Sequence, residues 1–190
     1  MRSNLSIAAI AVALSFAAPA MAQTAPTPAT AAVSAAPSAA PADVATPEAI
    51  VTALYDVISG DAGVARDWDR FRSLFHPAAR LQPTGVNPQG VGVVRTLTPE
   101  EYITRSGPML VGQGFHEREI ARRVERFGHI AHVWSTYDSV RTRSDPAPFM
   151  RGINSIQLFN DGSRWWVLSI YWQAETPEIP IPAEYLPQAD

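Results

Sequence analysis

The sequence predicts an α+β domain in which three N-terminal helices pack on a curved, mainly antiparallel β-sheet. Three segments with helix-start signals occupy the first half of the domain, whereas three segments rich in β-branched and aromatic residues fill the second half. Helices followed by a run of strands are typical of segregated α+β folds rather than of alternating α/β folds. We therefore expect one layer of helices on one sheet.

A leader precedes this domain. Arg2 is followed by an apolar run over residues 5–18, and Ala20 and Ala22 supply the small side chains that suit signal peptidase. The run is shorter than the ~20 apolar residues that cross a bilayer. We expect residues 1–22 to be a cleaved signal peptide, the mature protein to be exported to the periplasm or the medium, and no membrane attachment after cleavage.

The segment at 23–45 consists almost entirely of Ala, Pro, Thr and Ser. Such a composition buries too little apolar surface to offset its chain entropy, so it predicts a flexible linker. The folded domain is then expected over residues 46–175, with a Pro-rich tail at 176–190.

The composition excludes several classes of protein. There is no Cys, which excludes disulfides, thiolate nucleophiles and Cys-based metal sites. All 15 basic residues are Arg and the net charge is -3, so no basic stripe indicates a nucleic-acid partner. No glycine-rich phosphate motif or nucleophile elbow is present, and we expect no cofactor.

Caps and breakers predict the helices. The first begins at Thr46 with Pro47 and stops at Gly60, and the second covers residues 68–75 and stops before Pro77. The third opens on a capping box at Thr98-Pro99-Glu100-Glu101, and Gly107-Pro108 is expected to end it.

Strands are expected at residues 80–84, 91–96, 130–140, 151–159 and 164–174. The segment 115–127 is ambiguous, because Ile120, Val124 and Phe127 also fit helical spacing. Its continuation through Gly128 into an obvious strand indicates a long hairpin, and we predict a strand.

Asp161-Gly162 predicts a two-residue turn that places Asn154 opposite Ser169 and Gly152 opposite Tyr171. Small polar groups on this face, among apolar side chains, are typical of a ligand pocket. The residues expected to line it are Tyr137, Asn154, Trp165, Ser169 and Tyr171. Alternatively, Asn154 and Ser169 bond to the backbone and the tyrosine hydroxyls reach solvent.

Both faces of this hairpin are substantially apolar, but the three helices can cover only one of them. A homodimer through the open face of the sheet is the expected solution. The alternative is that residues 176–187 fold back over that face.

These features resemble the nuclear transport factor 2-like (NTF2-like) superfamily, in particular its SnoaL-like and DUF4440-type bacterial members. The resemblance covers residues 46–174 and is carried by segments 127–133, with Ser135 and Tyr137, by 151–158 and by 161–167. It implies a cone-shaped fold with an internal pocket and usually a dimer. The superfamily includes isomerases, dehydratases, cyclases and transport factors, so it implies no single activity.

Relatives of this kind use proton transfer in a dry pocket, with ketosteroid isomerase as a well-known case. The acid/base candidates here are Glu119, Asp138 and His132, with Glu117 and His116 in the wider set. The carboxylates are alternatively hairpin ion pairs with Arg118, Arg122 or Arg123. No catalytic role carries over residue by residue.

His129 and His132 are three apart on a strand and point to opposite faces, so no metal site is expected. The function expected from the sequence is an exported protein that binds a small, largely apolar molecule. An isomerase or lyase in the same pocket, or an interaction module without ligand, are the alternatives.

Overall fold

The computed structural model describes residues 37–188. The predicted signal peptide and residues 23–36 of the predicted linker lie outside this range. Helix α1 (Pro41–Val44) falls inside the predicted linker, where Val44 is buried and Asp43 forms an ion pair with Arg70. The folded part therefore begins ahead of the predicted boundary at residue 46.

The three predicted helices are present as α2 (Pro47–Ile58), α3 (Trp68–Leu74) and α4 (Pro99–Gln113). Thr46 caps α2 and the capping box at Thr98 opens α4. The predicted end of α4 at Gly107-Pro108 is wrong. Proline lacks the backbone donor but keeps a helical φ, and the extra turn buries Leu110 before Gly114, with φ +71°, ends the helix.

A buried arginine joins the ends of two helices. Arg66 donates to the backbone carbonyl groups of Ile58 at the end of α2, of Gly60 in the following loop and of Leu110 in α4. Burial lowers the pKa of this guanidinium. Its donors satisfy carbonyl groups that helix ends otherwise leave without partners.

Six strands form one sheet in the order β2-β1-β6-β5-β4-β3. Their bounds are β1 (Phe75–Val86), β2 (Gly92–Val94), β3 (His116–Phe127), β4 (Ile130–Val140), β5 (Met150–Asn160) and β6 (Trp165–Ala174). Strands β1 and β6 run parallel and the other neighbours antiparallel. The mainly antiparallel α+β architecture is confirmed, as are the strand at 115–127 and the hairpin at Gly128.

The predicted register of the last hairpin is wrong. Asn154 lies opposite Trp172, and Ser169 lies opposite Gln157. A two-residue turn needs positive φ at both central positions, but only Gly162 has it, and the Asp161 carboxylate instead accepts backbone N–H bonds from Ser163 and Arg164. A bulge between Val167 and Ser169 then inverts the faces of β6 beyond it.

The helices cover one face of the sheet, which we call the inner face, and bury the core there. The C-terminal tail crosses part of the outer face and includes a short 3-10 helix, Ala183–Tyr185. Ile181 is buried, and the Thr136 hydroxyl donates to the Tyr185 carbonyl at 2.6 Å. The alternative in which the tail folds back is thus observed. No helix within residues 37–188 is long and apolar enough to cross a membrane.

Candidate functional site

A cavity of about 230 Å³ lies between the helices and the inner face of the sheet. Its walls are mostly apolar and aromatic, and they contain one carboxyl group and no Arg, Lys or His. The lining residues are Leu54, Tyr55, Ile58, Phe71, Leu81, Tyr102, Ser106, Met109, Leu110, Phe115, Glu117, Tyr137, Met150, Asn154, Ile170 and Trp172. Concave apolar sites with a few polar groups are typical of small-molecule binding.

Glu117 supplies the carboxyl group. It stands on β3 opposite Ser139, and its backbone N–H donates to Ser59 at the end of α2 at 3.0 Å. Burial raises the pKa of Glu117 to about 7, against the lowering effect of hydrogen bonds from Asn154 and Ser139. A carboxyl group with such a pKa can both accept and return a proton near neutral pH.

Asn154 and Tyr55 stand beside this carboxyl group. The amide nitrogen of Asn154 is 3.2 Å from Glu117 Oε1 and 3.0 Å from the Tyr55 hydroxyl, and that hydroxyl is 2.7 Å from Ser135 Oγ. Burial raises the pKa of Tyr55, which keeps its hydroxyl protonated. The polar groups of the cavity are therefore linked rather than isolated.

Two further tyrosines line the cavity, and burial and the negative charge of Glu117 raise the pKa of both Tyr102 and Tyr137. The Tyr102 ring stacks on Phe71 with 5.5 Å between ring centroids. The Tyr137 hydroxyl lies close to Gly152, so that a Cβ atom added at position 152 would be 2.4 Å from it. Both hydroxyls stay protonated at neutral pH and can donate to an oxygen of a bound molecule.

The structure brings together two of the five predicted ligand residues, because only Tyr137 and Asn154 line this cavity. Trp165 is buried at the far end of the inner face, where Arg126 lies over its ring at 4.9 Å. Tyr171 is on the outer face and 50% exposed, and Ser169 sits at the bulge. The bulge explains why these two were expected on the pocket face, because the longer turn shifts the pairing by two residues and so keeps each side chain on its face.

The three predicted acid/base residues do not line the cavity. Glu119 pairs with Arg122 and Asp138 pairs with Arg118, which matches the ion-pair alternative. His132 bonds to Ser155 at 3.0 Å. The carboxyl group at the cavity, Glu117, was in the wider set only. Its contacts with Ser139 and Asn154 single it out, and they depend on how β3, β4 and β5 pair.

The part of the chain that the structure describes contains no group of three or more His, Asp or Glu side chains that could hold a metal ion. His116 is buried and bonds to Asp61 at 2.7 Å.

No protein-family model and no curated protein sequence matches this chain. Solved structures do match. A protein of unknown function with a cystatin-like fold from Nostoc punctiforme is 13% identical, with a TM-score of 0.51, over 69% of this chain and 89% of that one. A candidate dehydratase of the NTF2-like family from Streptomyces avermitilis is 16% identical, with a TM-score of 0.50, over 74% of this chain and 97% of that one.

A third similar structure is a candidate ketosteroid isomerase from Parabacteroides distasonis, 17% identical, with a TM-score of 0.47, over 70% of this chain and 89% of that one. At such low identity the first two similarities, with TM-scores of 0.51 and 0.50, concern the fold alone. The chain has the cone-shaped NTF2-like fold, as the resemblance implied. The finer assignment to SnoaL-like or DUF4440-type members stays a prediction.

Proposed function

We propose that the cavity binds a small, largely apolar, uncharged molecule and that Glu117 moves a proton on it, next to a carbonyl group. The observation that carries this proposal is a single carboxyl group of pKa about 7 within an aromatic cavity. In this setting the ionised form is a strong enough base to act near neutral pH, and the protonated form is available to return the proton.

The proposed step is an isomerisation through an enolate. The Glu117 carboxylate takes a proton from the carbon beside the carbonyl, and the electron pair moves onto the carbonyl oxygen. A hydroxyl of Tyr102 or Tyr137 donates to that oxygen, and Glu117 then returns its proton to a different carbon. One residue serves as base and acid, so atoms and charges balance without a second group that takes or gives a proton.

A lyase in the same cavity is supported by the candidate dehydratase among the similar structures. Elimination, however, needs an acid for the departing group. The cavity lining holds one carboxyl group and no histidine. This favours isomerisation over elimination.

Charge in the cavity favours uncharged substrates. Its lining has no cationic side chain, and its one carboxyl group is that of Glu117. An anionic ligand would lack a counter-ion and face a carboxylate in a setting of low polarity.

The test uses hydrogen exchange in deuterium oxide. NMR would follow deuterium entering the carbon beside the carbonyl of 2-tetralone, with wild-type protein, Glu117→Gln, and Glu125→Gln as the control. Glu125 lies on the same strand and is exposed. Exchange catalysed by wild type and Glu125→Gln but not by Glu117→Gln is expected. Equal exchange with all three would refute the role of Glu117.

Binding without turnover is the second candidate, favoured by the largely apolar walls of the cavity. Native mass spectrometry of protein from its own host cells would show a retained molecule. If that molecule binds and is recovered unchanged, and exchange is absent, the protein is a carrier.

We also propose that the chain forms a homodimer through the part of the outer face that the tail leaves bare. Phe127 and Ile130 pair across β3 and β4 and are 83% and 61% exposed. Apolar surface of this kind marks interaction sites. Light scattering should show a dimer that Phe127→Asp dissociates and Val91→Asp, at another exposed position, does not. A monomeric wild type would remove this proposal.

Export is the third part of the proposal, and it rests on the leader at residues 1–22. N-terminal sequencing of the protein from its own host should start near Gln23. A start at Met1 would contradict export by this signal.

A further inference from the structure

A chain of hydrogen bonds runs from an ion pair at the edge of the inner face to the carboxyl group in the cavity. The ion pair joins Glu119 to Arg122, whose side chains are 18% and 21% exposed. Ser135 Oγ donates to Glu119 Oε1 at 2.5 Å. Because Ser135 has a single hydroxyl hydrogen, this bond determines which group is the donor in each of the other hydrogen bonds of the chain.

The direction of the remaining bonds follows from that one hydrogen. Ser135 Oγ can only accept from the Tyr55 hydroxyl, 2.7 Å away. The Tyr55 oxygen must then accept from the Asn154 amide nitrogen at 3.0 Å. The second amide hydrogen of Asn154 is left for Glu117 Oε1, at 3.2 Å. The amide is thereby locked with its nitrogen toward both partners.

This arrangement cannot carry a proton from end to end, because Asn154 donates in both directions. It can instead hold one oxygen of Glu117 in place. Within residues 37–188, the other oxygen, Oε2, accepts only a long hydrogen bond from Ser139 Oγ, at 3.5 Å. Oε2 is therefore the oxygen left to exchange a proton.

We propose that Tyr55, with Ser135 behind it, is a positioning residue that locks the Asn154 amide so that Glu117 is held by Oε1 and reacts through Oε2. The meaning for proton transfer rests on the proposed function. The positioning itself is a property of the protein alone and is tested without a substrate.

The sheet offers a matched pair of substitutions. Ser135→Ala removes a link of the chain on the inner face. Ser155→Ala removes a hydroxyl on the outer face of the adjacent strand, where Ser155 bonds to His132. The two changes are chemically identical and lie at neighbouring positions of the sheet, but only Ser135 belongs to the chain of bonds that reaches Glu117.

The measurement is the titration of the Glu117 side-chain carboxyl carbon by 13C NMR, assigned with Glu117→Gln. A hydrogen bond to the ionised form lowers a carboxyl pKa, so releasing Asn154 raises it. Tyr55→Phe and Ser135→Ala should each raise the proton affinity of Glu117 by about threefold to tenfold. The double variant should match Tyr55→Phe, because Ser135 acts through Tyr55. Ser155→Ala should leave the titration unchanged.

A Glu117 titration that Tyr55→Phe and Ser135→Ala leave as in wild type would overturn the proposal. If these variants fail to fold, the wild-type protein gives the answer. Its Asn154 side-chain amide protons should shift with pH along the Glu117 titration curve, and independence of the two would also overturn it. The exchange assay with Glu117→Gln tests the proposed function, and the Glu117 titration tests the positioning. Failure of one proposal can therefore be distinguished from failure of the other.

Discussion

Replacing Glu117 by Gln should change how stability depends on pH. Burial raises the pKa of this carboxyl group from its usual 4.5 to about 7 in the folded protein. Below pH 4.5 the folded and unfolded chains both hold the proton. Between pH 4.5 and 7 the folded chain keeps a proton that the unfolded chain has released, so stability falls as pH rises.

The magnitude follows from the size of the shift. A difference of about 2.5 pKa units corresponds to roughly 3 kcal/mol of unfolding free energy, lost by pH 8. Gln is neutral at every pH and has nearly the same shape as the protonated acid. Glu117→Gln should therefore match wild type at pH 4 and be more stable by up to about 3 kcal/mol at pH 8.

The assay is denaturant unfolding of both proteins at half-unit steps from pH 4 to pH 8. Other titrating groups are common to both, so the difference between the two curves isolates Glu117. Glu119→Gln is the control, because it removes the negative charge that pairs with Arg122 and leaves Ser135 only a neutral acceptor, and it should destabilise the protein at pH 8. A wild-type to Glu117→Gln difference that stays constant from pH 4 to pH 8 would refute the reasoning.

Three further predictions concern packing. Arg66→Met should lower the unfolding free energy by about 3 kcal/mol in urea, because buried carbonyl groups of two helices lose their donor; a loss under 1 kcal/mol would contradict this. Gly152→Ala should destabilise by about 2 kcal/mol and weaken 2-naphthol binding measured by fluorescence, since the new Cβ would lie 2.4 Å from the Tyr137 hydroxyl. Gly85→Ala, in open space, should stay within about 0.5 kcal/mol of wild type. Deleting residues 177–190 should shift tryptophan emission to the red as Trp134 is uncovered; an unchanged spectrum would mean that the tail does not cover this side chain.

Local signals in the sequence were sufficient for the helix starts and for most strands. Thr46 and Thr98 act through contacts within one helical turn, so their caps can be recognised without any knowledge of the fold. The end of α4 depends instead on Leu110 reaching the core, which is a tertiary effect. Gly107-Pro108 therefore misled the prediction.

The candidate site was harder to predict because it depends on register. An Asp-Gly pair permits a two-residue turn, but the bonds from Ser163 and Arg164 to Asp161 favour a longer loop. The bulge after Val167 then sends Tyr171 to the outer face. Period-two alternation cannot reveal a bulge. The sequence therefore predicted a pocket face with small polar groups among apolar side chains, but it did not predict correctly which residues form that face.

Pairing of β1 with β6 has a consequence for the order in which the molecule assembles. Leu81 and Ile170 are neighbours in this parallel pair, yet about 90 residues separate them along the chain. Both line the cavity, as does Trp172 on β6. A chain that stops before residue 165 would contain every helix of the inner layer but would lack β6, the strand that joins the β1–β2 pair to the rest of the sheet. We therefore expect the cavity to close late in folding, because a contact of long sequence separation completes it and such contacts form slowly.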